Sequence, residues 1–220
     1  MTSSILNNND VENLSLSEEL RTHTAQAHED AEHSTFMNDL LTGKLNAQAF
    51  IKLQEQSWLF YTALEAAARA CSEDSRAASL FDPRLERKET LEADLDKLHE
   101  GANWREGVVA TEATASYVER LEEIGAAKDF PRLVAHHYVR YLGDLSGGQV
   151  IARMVNREYG VEDDALSFYR FEDLGKLKPY KDNYRTALDA LELTSVERSA
   201  LLDEASDAFR FNQLVFEALA

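Results

Sequence analysis

Apolar residues recur three and four positions apart along most of this chain, while residues that interrupt helices are scarce. Nine glycines and three prolines are spread over 220 residues, which is about half their usual share. An all-β sandwich or barrel would need a turn about every 8–12 residues, and so many more of both. The pattern therefore predicts an all-α fold, and the length fits a single domain.

Signals that start and stop helices divide the chain into eight predicted segments. Ser15 and Thr194 each open a capping box, and Pro83 and Pro131 stand where a first helical turn tolerates proline. The predicted helices cover residues 15–33, 37–42, 46–71, 82–101, 111–125, 130–160, 180–191 and 195–219. We expect a disordered tail at residues 1–14, followed by one domain of about eight helices at residues 15–220.

The charge balance limits the partners of the chain. Its 23 basic and 40 acidic residues leave a net charge of −17, which argues against binding to nucleic acid or to an anionic membrane surface. The single cysteine, Cys71, cannot form an intrachain disulfide. Residues 1–13 lack the basic and apolar stretches of a signal peptide. We therefore expect a cytoplasmic protein with an inert thiol, monomeric by default.

Three of the nine glycines stand at positions 143, 147 and 148, within one long predicted helix. Each costs about 0.5–1 kcal/mol relative to alanine in a helix interior, so the cluster needs a reason. Gly143 and Gly147 share a helix face and would let a flat ligand approach the backbone. Close packing between helices, or two helices joined by a loop, would also explain them.

The positions of the histidines leave open which of them faces the interior. His23 and His28 both flank the apolar stripe of the first predicted helix, and periodicity does not decide which one faces the interior. His136 and His137 are adjacent, so they point about 100° apart on a helix and cannot bind one metal together.

A local reversal of charge lies between Arg170 and Arg185, where five basic residues stand against three acidic ones. Lys181 and Arg185 are four positions apart and share a helix face. This cluster could bind a small dianion, or it could be an ordinary solvated surface.

Two motifs resemble one known family. The segment VAHHYVRYLGDLSGGQ at residues 134–149 is similar to the distal-helix signature of heme oxygenases, and TAQAHEDAE at residues 24–32 is similar to their proximal-helix motif. Shorter matches lie at residues 60–65, 91–95, 117–121, 184–185 and 208–212. The resemblance covers residues 15–219 and is strongest to the soluble bacterial enzymes used in iron acquisition.

The resemblance implies an all-α fold that holds heme between a proximal N-terminal helix and a kinked, glycine-rich distal helix. It implies that His28 is the proximal iron ligand and that Glu32, one turn further on, is its carboxylate partner. Gly143 and Gly147 would place backbone over the iron, leave room for O₂, and steer attack to one meso carbon.

The resemblance also implies that Asp144 acts through ordered water to deliver a proton to the bound oxygen, with Tyr61 and Arg140 in the same distal network. The family's contacts to the heme propionates match Arg21, Tyr138, Lys176 and Arg185, with Lys181 as an alternative. Arg21 stands where lysine is common and keeps the charge. The pocket-wall positions match Phe209, Phe211 and Asn212, for which core packing is an equal alternative.

The implied reaction opens the ring of heme b, which is both cofactor and substrate, with O₂ and external electrons. The expected products are biliverdin, as the IXα isomer, CO and Fe²⁺, which would serve heme degradation and iron acquisition by an oxidoreductase of the monooxygenase type. The chain has no flavin or nicotinamide fingerprint, so a ferredoxin or an NAD(P)H-dependent reductase must supply the electrons.

Two other functions compete with this prediction. A heme carrier or store would use the same pocket without turnover, but it would not need Asp144. A di-metal oxidase would need Glu-x-x-His on two helices, whereas the nearest matches have Asp30 and Asp96 in place of the glutamate.

Overall fold

The computed structural model describes residues 14–101 and 103–220, and this part of the chain contains helices and connecting segments but no strand. Its nine α-helices are α1 (Leu16–His23), α2 (Ala25–Glu32), α3 (Thr35–Leu41), α4 (Ala47–Ala70), α5 (Lys88–Leu98), α6 (Glu112–Ala127), α7 (Phe130–Tyr159), α8 (Leu177–Asp189) and α9 (Ser195–Glu217). Short 3₁₀ turns lie at Ala77–Ser79, Pro83–Leu85, Asp163–Ala165, Ser167–Tyr169 and Glu172–Leu174. The all-α prediction is confirmed.

Side-chain caps begin α1, α4, α7 and α9, and two of the caps, Ser15 and Thr194, are capping boxes that the sequence predicts. Ser15 and Thr194 both form complete capping boxes with the glutamate three residues later. The Asn46 side chain accepts from Ala49 N, and the Asp129 side chain accepts from Arg132 N ahead of Pro131. These side chains satisfy N–H groups that have no partner inside the helix.

Two predicted helices begin or continue differently. The segment predicted as one helix over residues 15–33 divides at Thr24, whose hydroxyl donates to Leu20 O at 2.7 Å. Such a bond to the carbonyl four residues earlier tends to bend a helix. The helix predicted from residue 82 begins only at Lys88, because Pro83–Leu85 forms a separate 3₁₀ turn.

Gly125 was predicted to end a helix, but α6 continues to Ala127 and the left-handed residue is Lys128, with φ of 50°. A Cβ at Gly125 would lie 3.1 Å from both Cα and Cβ of Ala67. This glycine therefore allows α4 and α6 to approach closely.

The core is continuous from α1 to α9, and α7 runs through it. Helix α7 has 30 residues and is unbroken across the glycine cluster, so the alternative of two helices joined by a loop is wrong. It packs against α4 and α9, and α9 in turn packs against α2. A bend at the glycines stays a prediction.

The buried polar groups of α7 are paired with other helices. His136 Nε2 lies 2.9 Å from Glu204 Oε1 on α9, and Arg120 Nε of α6 donates to the same oxygen at 2.9 Å. Although burial opposes its charge, hydrogen bonds from His136 and Arg120 lower the pKa of Glu204 to about 2. Burial lowers the pKa of His136, which is therefore neutral beside a charged carboxylate.

Three expectations from the sequence concern a membrane-spanning segment, the single cysteine and the N-terminal tail. Within the described ranges, no helix is both long and apolar enough to cross a membrane. Cys71 follows α4 and is buried, and burial raises the pKa of its thiol. The disordered tail predicted at residues 1–14 falls, except for Leu14, outside the described residues.

We expect His137 to make folding sensitive to acid. Its Nδ1 lies 2.8 Å from the Tyr184 hydroxyl, and burial lowers its pKa from 6.5 to about 3. As the pH falls, the unfolded chain therefore binds a proton at this residue before the folded chain does. The contribution of the neutral imidazole to the free energy of unfolding is fully present above pH 6.5 and is lost as the pH falls toward 3. The loss is about 1.4 kcal/mol per pH unit. Urea unfolding at pH 7, 6 and 5 measures it.

The matched variant is His137→Phe, since aromatic rings of Phe81 and Tyr141 lie 4.8 and 4.5 Å from the imidazole. The variant is expected to be less stable at pH 7, because Tyr184 loses its partner. Its deficit should shrink as the pH falls. A deficit that stays constant from pH 7 to 5 would contradict the assignment, and the exposed His33→Gln serves as a control.

Candidate active site

A cavity of about 590 Å³ is lined by residues of α1, α2, α3, α7, α8 and α9 and of the α1–α2 junction, within the size range of small-molecule and cofactor sites. Its lining is mixed, with apolar side chains, several charged groups and bare backbone. The residues that line it are Ser17, Glu18, Arg21, Thr24, Ala25, His28, Ala31, Glu32, Met37, Tyr138, Val139, Arg140, Leu142, Gly143, Asp144, Ser146, Gly147, Gly148, Ile151, Arg185, Phe209, Asn212 and Phe216.

The three clustered glycines of α7 have two different roles. A Cβ at Gly143 or Gly147 would meet nothing within 4 Å, so these two leave open space along the cavity wall. A Cβ at Gly148 would lie 3.0 Å from Cδ1 of Tyr169, so this glycine permits packing. Both explanations offered by the sequence therefore apply, each to different glycines.

The sequence left open whether His23 or His28 faces the interior, and the structure shows that His28 lines the cavity. Its side chain is half exposed, and its Nδ1 lies 3.6 Å from Glu32 Oε2. The ring meets Phe209 edge-on with centroids 5.3 Å apart. His23 does not line the cavity, and its Nε2 lies 4.0 Å from Asp203 Oδ1. His28 therefore has an imidazole edge available to a ligand.

A buried polar network lies behind the glycine wall. The Tyr61 hydroxyl donates to Oδ2 of Asp144, and Arg140 Nε donates to the same hydroxyl at 3.1 Å. Arg140 Nη2 lies 3.7 Å from Asp144 Oδ1, and Arg140 Nη1 donates to Asn212 Oδ1 at 2.9 Å. Tyr61 does not line the cavity and acts on it through Asp144.

Burial and this network act in opposite directions on the pKa of Asp144. Burial raises the pKa of its carboxyl group, although the Arg140 cation and the Tyr61 hydrogen bond oppose the rise. Burial also raises the pKa of Tyr61 well above 10, so the phenol keeps its proton. A carboxyl group whose pKa lies above its ordinary value keeps its proton to a higher pH, and it can then donate that proton.

Cations stand at one side of the cavity. Burial raises the pKa of Tyr138, and the charges of Arg185 and Arg21 oppose this rise, which shows that both act on it. All three line the cavity. Lys181 Nζ donates to Oγ of Ser146, itself a lining residue, at 3.1 Å. Lys176 precedes α8, is exposed and does not line the cavity.

Two hydrogen bonds that the sequence did not indicate join α1 and α8, the helices that carry these cations. Ser17 N and Oγ donate to the two oxygens of Asp189, at 2.7 and 3.0 Å. The first turn of α1 is thus capped by the last residue of α8, 172 positions away. No local pattern could reveal this pair.

The last helix divides the three candidate wall residues. Phe209 and Asn212 line the cavity, whereas Phe211 does not. Phe211 stacks on Tyr117 with centroids 5.0 Å apart and an angle of 7°, so core packing explains it. The sequence also missed Met37, whose apolar side chain lines the wall from α3.

These groups fit an iron porphyrin. Such a ligand needs an axial imidazole, a flat apolar slot and cations for its two carboxylates. His28, the open space at Gly143 and Gly147, and the cations around Tyr138 meet these needs. The buried carboxyl group of Asp144 lines the same cavity, so fold and site together are those of an α-helical heme protein.

Comparisons with known proteins agree with this class. The sequence profile described as Heme oxygenase matches residues 14–218. Heme oxygenase 1 of the cyanobacterium Synechocystis is 33% identical over 206 residues, which is 94% of this chain and 85% of that protein. Heme oxygenase 1 of Gallus gallus is 37% identical over 208 residues, covering 93% and 69%. The chain belongs to the heme oxygenase family, whose function is the degradation of heme to biliverdin.

A solved structure shares the architecture. The crystal structure of heme oxygenase-1 from Synechocystis in complex with heme superposes with a TM-score of 0.86 at 33% identity, covering 93% of this chain and 91% of that one. The family resemblance found in the sequence is thereby confirmed.

We expect the two cavity glycines to lower stability in exchange for space. Gly143→Ala and Gly147→Ala should each raise the free energy of unfolding by about 0.5–1 kcal/mol, because alanine favours the helix and its methyl group meets nothing. The same methyl groups should weaken heme binding. Urea unfolding without heme and absorbance titration with hemin measure the two effects.

The control is Gly148→Ala, where the added carbon would crowd Tyr169. We expect no gain in stability from it. Unchanged hemin affinity in both Gly143→Ala and Gly147→Ala would show that this wall does not contact the ligand.

Proposed function

We propose that this chain opens the ring of heme b, using O₂ and external electrons, and releases biliverdin, CO and Fe²⁺. The observation that carries the proposal is the buried carboxyl group of Asp144, which lines the same cavity as His28. A heme carrier would need the imidazole and the apolar slot only. A proton donor held on the glycine-rich wall is a feature of turnover.

His28 is the proposed iron ligand. Heme, when bound, supplies the iron at which O₂ is activated and the ring carbon that becomes oxygenated. Glu32 Oε2, 3.6 Å from His28 Nδ1, favours a proton on that nitrogen and leaves Nε2 to bind the metal. Phe209 supports the imidazole ring from the side.

Asp144 is the proposed proton donor. The Tyr61 hydroxyl occupies Oδ2, so Oδ1 remains for exchange of a proton with water in the cavity. Arg140 orients Tyr61 and is itself held by Asn212. Because these partners come from α4, α7 and α9, the carboxyl group is held in place before the ligand binds, which is the condition for efficient proton transfer.

The cations set the orientation of the ring in its plane. Arg21, Tyr138 and Arg185 line the cavity, and Lys181 reaches its lining residue Ser146. We propose that these groups hold the two propionates and so present the α-meso carbon. Lys181 takes the place that the resemblance gave first to Lys176, because it is the lysine whose side chain contacts a residue of the cavity lining.

Four further properties belong to this proposal. The reaction is of the monooxygenase type, and a ferredoxin or an NAD(P)H-dependent reductase supplies the electrons. The protein acts as a monomer. It works in the cytoplasm, as expected from its single buried cysteine and its bacterial relatives.

Single turnover tests the function. The chain mixed with hemin should form a 1:1 complex with a sharp Soret band, and reductant with O₂ should convert it to the spectrum of biliverdin with release of CO. A heme spectrum that persists under these conditions would favour the carrier function instead.

The proton donor is tested by Asp144→Asn. This variant should bind hemin with little change in affinity, since the amide occupies the same volume, while biliverdin formation slows by about 10²-fold or more. Stopped-flow absorbance measures the rate. The exposed Asp207→Asn on α9 is the control and should react like the unmodified chain. A normal rate in Asp144→Asn would refute the role.

The choice between the two lysines is tested by the product isomers. Lys181→Ala should add β- or δ-biliverdin to the α isomer, because a cation at the propionate edge is lost. Lys176→Ala should leave the isomer ratio unchanged, since its side chain lies away from the cavity lining. Chromatographic separation of the products measures the ratio, and the opposite outcome would return the assignment to Lys176.

A further inference from the structure

Helix α8 carries Arg185 and Lys181, two of the groups proposed to hold the propionates, yet little of the helix is buried. Among its 13 residues, Tyr184 and Leu188 are buried, and the others are exposed or half-buried. The helix packs against α1 and α7. Apolar contact has no preferred direction, so a helix with so small an apolar face needs polar contacts to fix its position.

Polar contacts hold α8 near both of its ends. The Tyr180 hydroxyl, in the first half of the helix, donates to Asp82 Oδ2 at 2.9 Å. Asp189, the last residue, accepts from Ser17. Both contacts are exposed or half-buried, so water competes for their partners and each adds little to stability. A further contact lies between them and is buried.

The buried contact joins Tyr184 of α8 to His137 of α7. The Tyr184 hydroxyl lies 2.8 Å from His137 Nδ1, and the two rings stack with centroids 5.7 Å apart and an angle of 2°. Burial lowers the pKa of His137 to about 3 and raises the pKa of Tyr184 well above 10. Both groups are therefore uncharged at neutral pH. A buried hydrogen bond between them favours one relative position of the two helices.

The neighbours of this pair in the sequence lie at the heme cavity. Tyr138 follows His137, Arg185 follows Tyr184, and both of these neighbours line the cavity. Lys181, three residues before Tyr184, contacts the cavity lining. An α-helix rises about 1.5 Å and turns about 100° per residue. A slip of α8 by one residue would therefore turn Arg185 away from the cavity.

We propose that His137 and Tyr184 are positioning residues, which fix α8 against α7 and thereby hold Arg185 and Lys181 where the propionates bind. Neither residue of the pair lines the cavity, so both act on the ligand through their neighbours. Their effect is on the orientation of the ring in its plane, and hence on which meso carbon is oxygenated. This effect rests on the proposed function, whereas the fixing of α8 does not.

Tyr184→Phe removes the hydrogen bond and keeps the aromatic ring. Without heme, a short pulse of hydrogen–deuterium exchange should label residues 177–189 about 2- to 10-fold faster than in the unmodified chain, because one net hydrogen bond that holds the helix is lost. Mass spectrometry of peptides measures the labelling. Equal labelling of α8 in the two proteins would overturn the positioning role.

The orientation of bound heme can be read without turnover. In the ferric cyanide complex, the heme-methyl NMR resonances shift with the angle between the porphyrin and its axial imidazole. A symmetrically substituted hemin avoids the extra resonances that arise when the ring binds in two flipped orientations. Tyr184→Phe should shift these resonances and weaken hemin binding several-fold. Unshifted resonances would contradict the effect on orientation.

The biliverdin isomers give a third readout, with a conservative variant as rescue. Tyr184→Phe and His137→Leu should add β- or δ-biliverdin to the α isomer, since both remove the hydrogen bond. His137→Asn should keep the α isomer, because its amide places a polar atom near the position of Nδ1. A purely structural role would lower stability in these variants without moving the isomer ratio, and that outcome would overturn the proposal.

The matched control is Tyr159→Phe, the same substitution on α7. The Tyr159 hydroxyl donates to Leu40 O of α3 at 2.6 Å, so this variant also loses a hydrogen bond between helices. It should lower stability but leave the labelling of α8, the methyl resonances and the isomer ratio unchanged. Equal changes in the control and in Tyr184→Phe would show that general loosening, and not the contact between α7 and α8, governs orientation.

The turnover assay separates this inference from the proposed function. If the unmodified chain forms no biliverdin, the proposed function fails, while faster labelling of α8 and shifted methyl resonances in Tyr184→Phe still support the positioning role. If biliverdin forms and Tyr184→Phe is unchanged in all three measurements, the proposed function stands and the positioning role fails.

Discussion

The buried hydrogen bond between Tyr61 and Asp144 is the interaction on which the rest of the site depends. A carboxyl group inside a helical core must find partners or lose its charge, and here a phenol from α4 and a guanidinium from α7 supply them. Arg140 is fixed in turn by Asn212 of α9. Helices α4, α7 and α9 must therefore keep their relative positions for Asp144 to keep its pKa. The packing of the core thus sets the protonation of the carboxyl group in the cavity.

Helix α7 shows the same principle along its length. It carries His136, His137 and Asp144 into the core, and each is bound by a different helix, through Glu204, Tyr184 and Tyr61. Burying such a polar group costs little free energy when its hydrogen bonds are made. Removing one partner destabilises the fold, because the other polar group stays buried without a hydrogen bond. The helix is thereby held in one register while Gly143 and Gly147 leave its backbone open on the cavity side.

Much of the fold could be predicted from local signals. Capping boxes, prolines in first turns and apolar periodicity located most helices to within a few residues, because those signals act over one or two turns. The errors occurred where an interaction between distant segments decides the local structure. Gly125 serves the contact with Ala67 of α4. The start of α5 follows a 3₁₀ turn that Arg87 ties to Phe168 and Arg170 carbonyl oxygens.

The sequence by itself determined the all-α class, the glycine cluster and the family, and with the family came a set of candidate residues for the site. Tertiary structure decided which of them lie near one another: His28 lines the cavity and His23 does not, Lys181 contacts the lining residue Ser146, and Gly148 packs on Tyr169 while Gly143 and Gly147 leave space. It also showed that Ser17 and Asp189 are hydrogen-bonded and that, among the described residues, the buried amide oxygen of Gln54 has no partner. The reason is that periodicity gives the direction of a side chain relative to its own helix, whereas its partners depend on how helices far apart in the chain are packed together.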